Sequence, residues 1–123
     1  MQKELLENNL ILKLSFDFSL KITQYCEIPE SDKKYVIARQ VLKAGTSIGE
    51  NCMEAQNAES KADFIHKMKI AAKEADETQY WLMLCDYSND YPNCSELLAK
   101  LDEIQKVINK ILKTAKSNNL VSH

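Results

Sequence analysis

Leu10-Ile11-Leu12-Lys13-Leu14-Ser15-Phe16-Asp17-Phe18-Ser19-Leu20-Lys21-Ile22 is the stretch on which the fold turns, because two periodicities compete in it. Every second residue from Leu10 to Ile22 is apolar or aromatic, the pattern of a half-buried β-strand. At roughly 100° per residue the same side chains sort into two helical stripes instead. Leu10, Ile11, Leu14, Phe18 and Ile22, continued by Tyr25, form one stripe; Leu12, Phe16 and Leu20 form another nearly opposite. A lone strand of this length has no partner for its backbone N–H and C=O groups in a chain that otherwise reads as helix. The segment is therefore read as a helix, with one stripe facing a core and the other calling for a different cover.

The rest of the chain supports that choice. Only 2 Gly and 2 Pro occur in 123 residues, far fewer than a sheet and its turns require. The length is that of one domain able to bury a core without metals or disulfides. The first helix is expected over about 4–26, stopping before Ile28-Pro29, since a residue preceding proline is biased away from helix. The second is expected over about 32–57, capped by Ser31 or Asp32, with an inward seam of Ile37, Val41, Ala44, Gly45, Ile48, Cys52 and Ala55. Ser60, with Asp63 three residues on, opens the third (about 60–87), which carries Phe64, Met68, Ala71, Ala75, Leu82 and Cys85. The fourth (about 94–115) opens at Asn93 or Ser95 and leaves a frayed tail over 117–123. Such short connections predict an all-α, antiparallel up-down-up-down four-helix bundle in a single domain, 1–123. Counting back from the loop near Ala58 sets Gly45 against Ala71, where two backbones approach closely.

Lys+Arg 16 against Asp+Glu 18 gives a net charge of -2, so no global positive field attracts nucleic acid or an anionic membrane. No apolar run approaches the roughly 18 residues of a membrane span, and Met1 to Asn9 is polar and charged. A cytoplasmic protein without a membrane partner is expected. The cysteines Cys26, Cys52, Cys85 and Cys94 lack the close pairing of zinc-ribbon or redox motifs and are read as reduced thiols. The bundle places Cys26, Cys85 and Cys94 at one end and Cys52 towards the other, short of the four ligands of a thiolate zinc site.

No constellation amounts to a catalytic centre, and no catalytic residue, metal or cofactor is expected. A di-iron bundle needs two Glu-x-x-His pairs and two more Glu, whereas only Asp63-x-x-His66 is present. Glu74 and Glu77 share a helix face, as magnesium-binding carboxylates do, but the next helix offers Asp102 with Ala99 three residues before it. A magnesium-dependent nucleotide hydrolase is the weakest alternative; interhelical ion pairing is the plain reading of those carboxylates. Lys61, Lys67, Lys69 and Lys73 load the start of the third helix, and Lys106, Lys110 and Lys113 the end of the fourth, at one end of the bundle. Such a patch suits RNA or DNA phosphates, and equally serves to solvate a surface and complement a helix C-terminus.

The stretch from Asp63 to Leu82, containing Glu74, Glu77, Tyr80 and Trp81, resembles the signature of the bacterial four-helix-bundle family, also called the rRNA intervening-sequence protein family. Gln40 to Glu54, with Ser47, Ile48, Asn51 and Glu54, resembles that family's second-helix motif; Ala55 replaces the glycine usual after the glutamate, so a longer second helix is expected. The resemblance implies a ring-like homopentamer without established enzymatic activity. Some members are encoded within intervening sequences of large-subunit rRNA genes. A related protein, the accessory variability determinant of diversity-generating retroelements, binds nucleic acid and a reverse transcriptase, and is basic where this chain is slightly acidic. The expected function is a homo-oligomeric scaffold for a macromolecular partner, self-contact being assigned to Leu12, Phe16 and Leu20. The alternative is a nucleic-acid adaptor using the lysine patch.

Overall fold

Ser60 shows how local chemistry sets the elements. Its side chain accepts a hydrogen bond from the Asp63 N–H at 3.0 Å, while the Asp63 carboxylate accepts from the Glu59 N–H at 3.2 Å. The first satisfies a donor that a helix start leaves orphaned, and the second ties the preceding residue back onto the first turn. In the computed structural model, which describes residues 7–31 and 35–121, that cap opens α3, Lys61–Tyr87. The other helices are α1, Leu10–Ser31; α2, Tyr35–Gln56; and α4, Ser95–Val121. No strand occurs among the described residues, so the alternation in α1 is a helical pattern.

Contacts fix the arrangement. Asn9, which caps α1 through the Leu12 N–H at 3.3 Å, donates from Nδ2 to Gln56 Oε1 at the far end of α2. Gln105 Nε2 donates to Asp76 Oδ1 at 3.1 Å between α4 and α3, and Cys94 Sγ to the Leu82 carbonyl at 3.2 Å. Tyr25 Oη donates to the Pro92 carbonyl at 2.8 Å, tying the end of α1 to the start of α4. Early residues of each helix thus meet late residues of the next, and α1 closes on α4: an antiparallel, up-down-up-down four-helix bundle. Diagonal helices do not pack on one another among the described residues, and the α1–α4 seam is the sparsest of the four.

The seams read from the sequence meet in one core. Val41, Ile48 and Cys52 of α2, Met68, Ala75 and Leu82 of α3, and Leu101, Ile104 and Ile108 of α4 are buried against Phe18 and Ile22 of α1. Thr78 is buried among them and donates its hydroxyl to the Glu74 carbonyl at 2.7 Å, which satisfies it without a partner helix.

Several boundaries differ from the sequence reading. α1 does not stop at Cys26 but continues through Pro29 to Ser31. In a last turn the missing proline N–H deprives only one carbonyl of its partner, far less than a mid-helix break. Ser31 therefore belongs to α1 instead of capping α2, and Asp32 lies outside the described residues, as do residues 4–6 of the expected first helix. The expected frayed tail is helical to Val121, since neither Gly nor Pro follows Pro92 to stop α4.

Leu12 is a correction of greater weight. It joins the core at 2% exposure, whereas Phe16 and Leu20 of the same stripe are 40% and 51% exposed. Four residues advance a helix by about 400°, so each member of an i, i+4, i+8 series turns about 40° further. Leu12 starts on the flank that α2 covers, and Leu20 has turned outward.

The close approach at Gly45 is likewise made by Ile22 of α1 and not by Ala71: a Cβ there would lie 3.0 Å from Ile22 side-chain carbons. A Cβ at Gly49 would meet Ser15 at an ordinary 3.4 Å. Gly49→Ala is therefore expected to stabilise the fold by up to about 1 kcal/mol through helix propensity. Gly45→Ala gains the same propensity but compresses a stiff, fully buried isoleucine, and is expected to fall below Gly49→Ala in a urea titration.

Candidate functional site

Where α1 lies on α2, Gly49 contributes no side chain, and a groove of about 190 Å³ opens between Leu12, Phe16 and Met53. Its hydroxyls turn inward to their own backbones. Ser15 donates to the Leu12 carbonyl at 3.3 Å, Ser19 to Ser15 at 2.9 Å, and Thr46 to Leu42 at 2.7 Å. The groove consequently presents mainly apolar surface with its hydroxyl donors already used, and Glu50 is the charged residue in its lining. Of the three residues assigned to self-contact, Leu12 and Phe16 line the groove, Leu12 as its buried floor, whereas Leu20 is exposed one turn further along α1 and is not part of the lining.

A second uncovered apolar face runs along the end of α3. Tyr80, Met83, Leu84 and Tyr87, at i, i+3, i+4 and i+7, stand out from the bundle, Tyr80 at 61% and Tyr87 at 81% exposure. They occupy the side away from Leu82 and Cys85, which enter the core. Tyr80 meets Trp81 edge-on with ring centroids 5.4 Å apart, and the buried Trp81 Nε1 has no acceptor among the described residues. Sequence reasoning singled out Tyr80 and Trp81 but missed the ridge. Its signal was present: a second i, i+3, i+4, i+7 series, offset from the core seam of the same helix.

The α2 motif residues are structural in the first instance. Ser47 Oγ donates to the Lys43 carbonyl at 2.7 Å, Asn51 Nδ2 to the Ser47 carbonyl at 2.8 Å, and Glu54 meets Lys67 of α3 at 3.5 Å. That ion pair draws Lys67 out of the lysine patch, and Lys106 is held by Asp102 at 2.9 Å. Lys61, Lys69, Lys73, Lys110 and Lys113 project from exposed positions on α3 and α4. Glu74 is pushed above the ordinary carboxylate range by partial burial and then by Glu77, against the opposing pull of Lys73 and Lys43. Asp102, the acid on α4 considered as a metal ligand, is engaged with Lys106. No group of three His, Cys, Asp or Glu side chains suited to a metal ion occurs among the described residues.

All four cysteines are buried and none forms a disulfide. Burial pushes the Cys52 thiol up to about 12 and that of Cys94 up to about 11, the latter also through Asp86 and Cys85. Thiols held protonated are poor nucleophiles, so a disulfide-exchange reagent is expected to label the native chain at least about 100-fold more slowly than the denatured one. The same shifts predict a pH dependence. Below the ordinary thiol value of about 9, both states keep the protons and the stabilisation is complete. Above it the unfolded chain releases protons that the folded chain retains, so stability falls between about pH 9 and 12.

No described helix is long and apolar enough to cross a membrane. Residues 7–110 match the family model described as 23S rRNA-intervening sequence protein. Among solved structures, the chain is similar to a protein of unknown function from the S23 ribosomal protein family of Bacteroides thetaiotaomicron. Identity is 36%, the TM-score is 0.80, and the similarity covers 84% of this chain and 98% of that one. No curated protein matches the sequence. With the signature on α2 and α3 and the fold in agreement, the chain belongs to the 23S rRNA-intervening sequence protein family.

Proposed function

We propose that this chain is a non-enzymatic, cytoplasmic scaffold that self-associates into a ring of five copies and engages a macromolecular partner as that assembly. The observation that carries the reading is the pair of unlike apolar faces, the groove at Phe16 with the exposed Leu20 one turn on, and the Tyr80–Tyr87 ridge, on different sides of the bundle. Unlike faces that fit each other make a head-to-tail contact, and such a contact closes into a ring when its rotation permits. Cavities of about 150 Å³ accept a benzene ring, so the 190 Å³ groove is of a size to seat one tyrosine ring of the ridge. The count of five comes from the family resemblance. Light scattering at micromolar concentration tests the reading: the expected mass is about 70 kDa for five copies of the 14.1 kDa chain. A sharp monomer would overturn it.

A second reading, as an RNA or DNA adaptor, is favoured by the five lysines exposed on the outer faces of α3 and α4, and by the family's link to rRNA intervening sequences. It predicts salt-sensitive binding to RNA, the slope of log K against log salt falling by roughly 0.9 per phosphate contact at most. Lys110→Gln with Lys113→Gln is expected to flatten that slope by about 1–2 units; an unchanged slope would remove this surface from consideration.

A further inference from the structure

A groove larger than the one at Phe16 lies apart from both of these faces. It lies where the start of α1, the start of α3 and the last turns of α4 meet, an open groove of about 510 Å³. Its opening follows from the sparse α1–α4 seam, whose upper half is tied by Tyr25 to Pro92 while the opposite end has no comparable link among the described hydrogen bonds. Six apolar residues make its walls: Leu10, Ile11, Phe64, Val107, Ile111 and Ala115. The two charged residues that line it, Lys61 and Lys110, are both basic. Lys61 is also the first residue of α3, where the helix dipole favours negative charge. Asp63, the nearest acid along α3, is turned to the Glu59 N–H, and the negative end of α4 lies six residues beyond Ala115, about 9 Å further on.

We propose that this groove binds a single-chain amphiphile with an anionic head, of the alkyl carboxylate class. The apolar walls take the chain and the two ammonium groups take the head. A polyanion such as RNA would leave the walls unused, and a cationic or neutral chain would leave the lysines unmatched. The volume falls within the range of ligand pockets, about 300–1,000 Å³, and the composition is theirs as well: mostly apolar, with a few convergent polar groups.

Titration of the full chain with dodecanoate below its micelle concentration, followed by amide NMR and calorimetry, tests this. Saturable binding is expected, with shifts centred on Phe64, Val107 and Ile111, and affinity rising about two- to fourfold per added CH₂ from octanoate upward. Dodecyltrimethylammonium is expected to bind at least about tenfold more weakly. The double variant Lys61→Gln/Lys110→Gln, altered only at exposed positions, is expected to lose about tenfold for dodecanoate while leaving dodecanol unaffected. Phe16→Glu, in the other groove, is expected to change nothing here. Absence of binding, equal binding of the cationic amphiphile, or indifference to the lysine substitutions would overturn the proposal. So would loss of binding in Phe16→Glu, or contacts from Leu5 or Leu6 to the Phe64 ring in the ligand-free chain, which would mean the groove is filled from within.

Discussion

Phe18→Ala is expected to lower the unfolding free energy by about 3–5 kcal/mol, whereas Phe16→Ala, two residues away, is expected to cost under about 1 kcal/mol. Phe18 is 1% exposed and packs among Ile22, Ile104 and the rest of the core, so truncation removes its transfer free energy and leaves a cavity. Phe16 is 40% exposed on the groove side and leaves little that water does not already reach. A domain of this size is stable by about 5–15 kcal/mol, so the first substitution alone removes a large share of the total. Urea titrations at concentrations low enough to keep the chain monomeric give both values. Equal losses would revive the strand reading, in which alternate residues share one face.

The second large effect concerns assembly. Phe16→Glu with Leu20→Glu places carboxylates on the groove and on the exposed α1 face beside it, and Tyr80→Glu with Tyr87→Glu places them on the ridge. All four positions are exposed in the single bundle, so each pair is expected to leave monomer stability within about 1 kcal/mol of the parent. At an apolar interface the same carboxylates must lose water without an opposite charge, which costs several kcal/mol per contact, or two orders of magnitude or more in affinity. Each double variant is therefore expected to run as a monomer at concentrations where the parent assembles, with its helical circular dichroism intact.

Much of the fold was legible because the helices carry separate, local signals. Ser60 and Asp63 mark the start of α3, and Val41, Ala44, Ile48 and Cys52 keep a clean seam that ends in the core. What escaped depended on neighbours. Gly45 was matched to α3 by counting from one loop, but α2 borders two helices, and the side of α2 that carries Gly45 and Gly49 faces Ile22 and Ser15 of α1. Leu12 was grouped with Phe16 and Leu20 by angle, although the drift along the stripe leaves only its later members outside. Ile28-Pro29 reads as a stop because a residue before proline is biased away from helix, but that bias is a preference, and the packed helix carries Ile28 and Pro29 through to Ser31. The ridge from Tyr80 to Tyr87 was hidden by the stronger core seam on the same helix, and the lysine patch lost Lys67 to Glu54, a pairing between helices that charge counting along one helix does not register.

Mixing the two double variants tests the central claim most directly. In a head-to-tail assembly one partner still has an intact ridge and the other an intact groove, so a single complementary contact can form and no more. The account predicts that two monomeric proteins, combined at equal concentration, give a one-to-one complex of about 28 kDa by light scattering and nothing larger. A mixture that stays monomeric, or a parent-sized assembly from either variant alone, would contradict it.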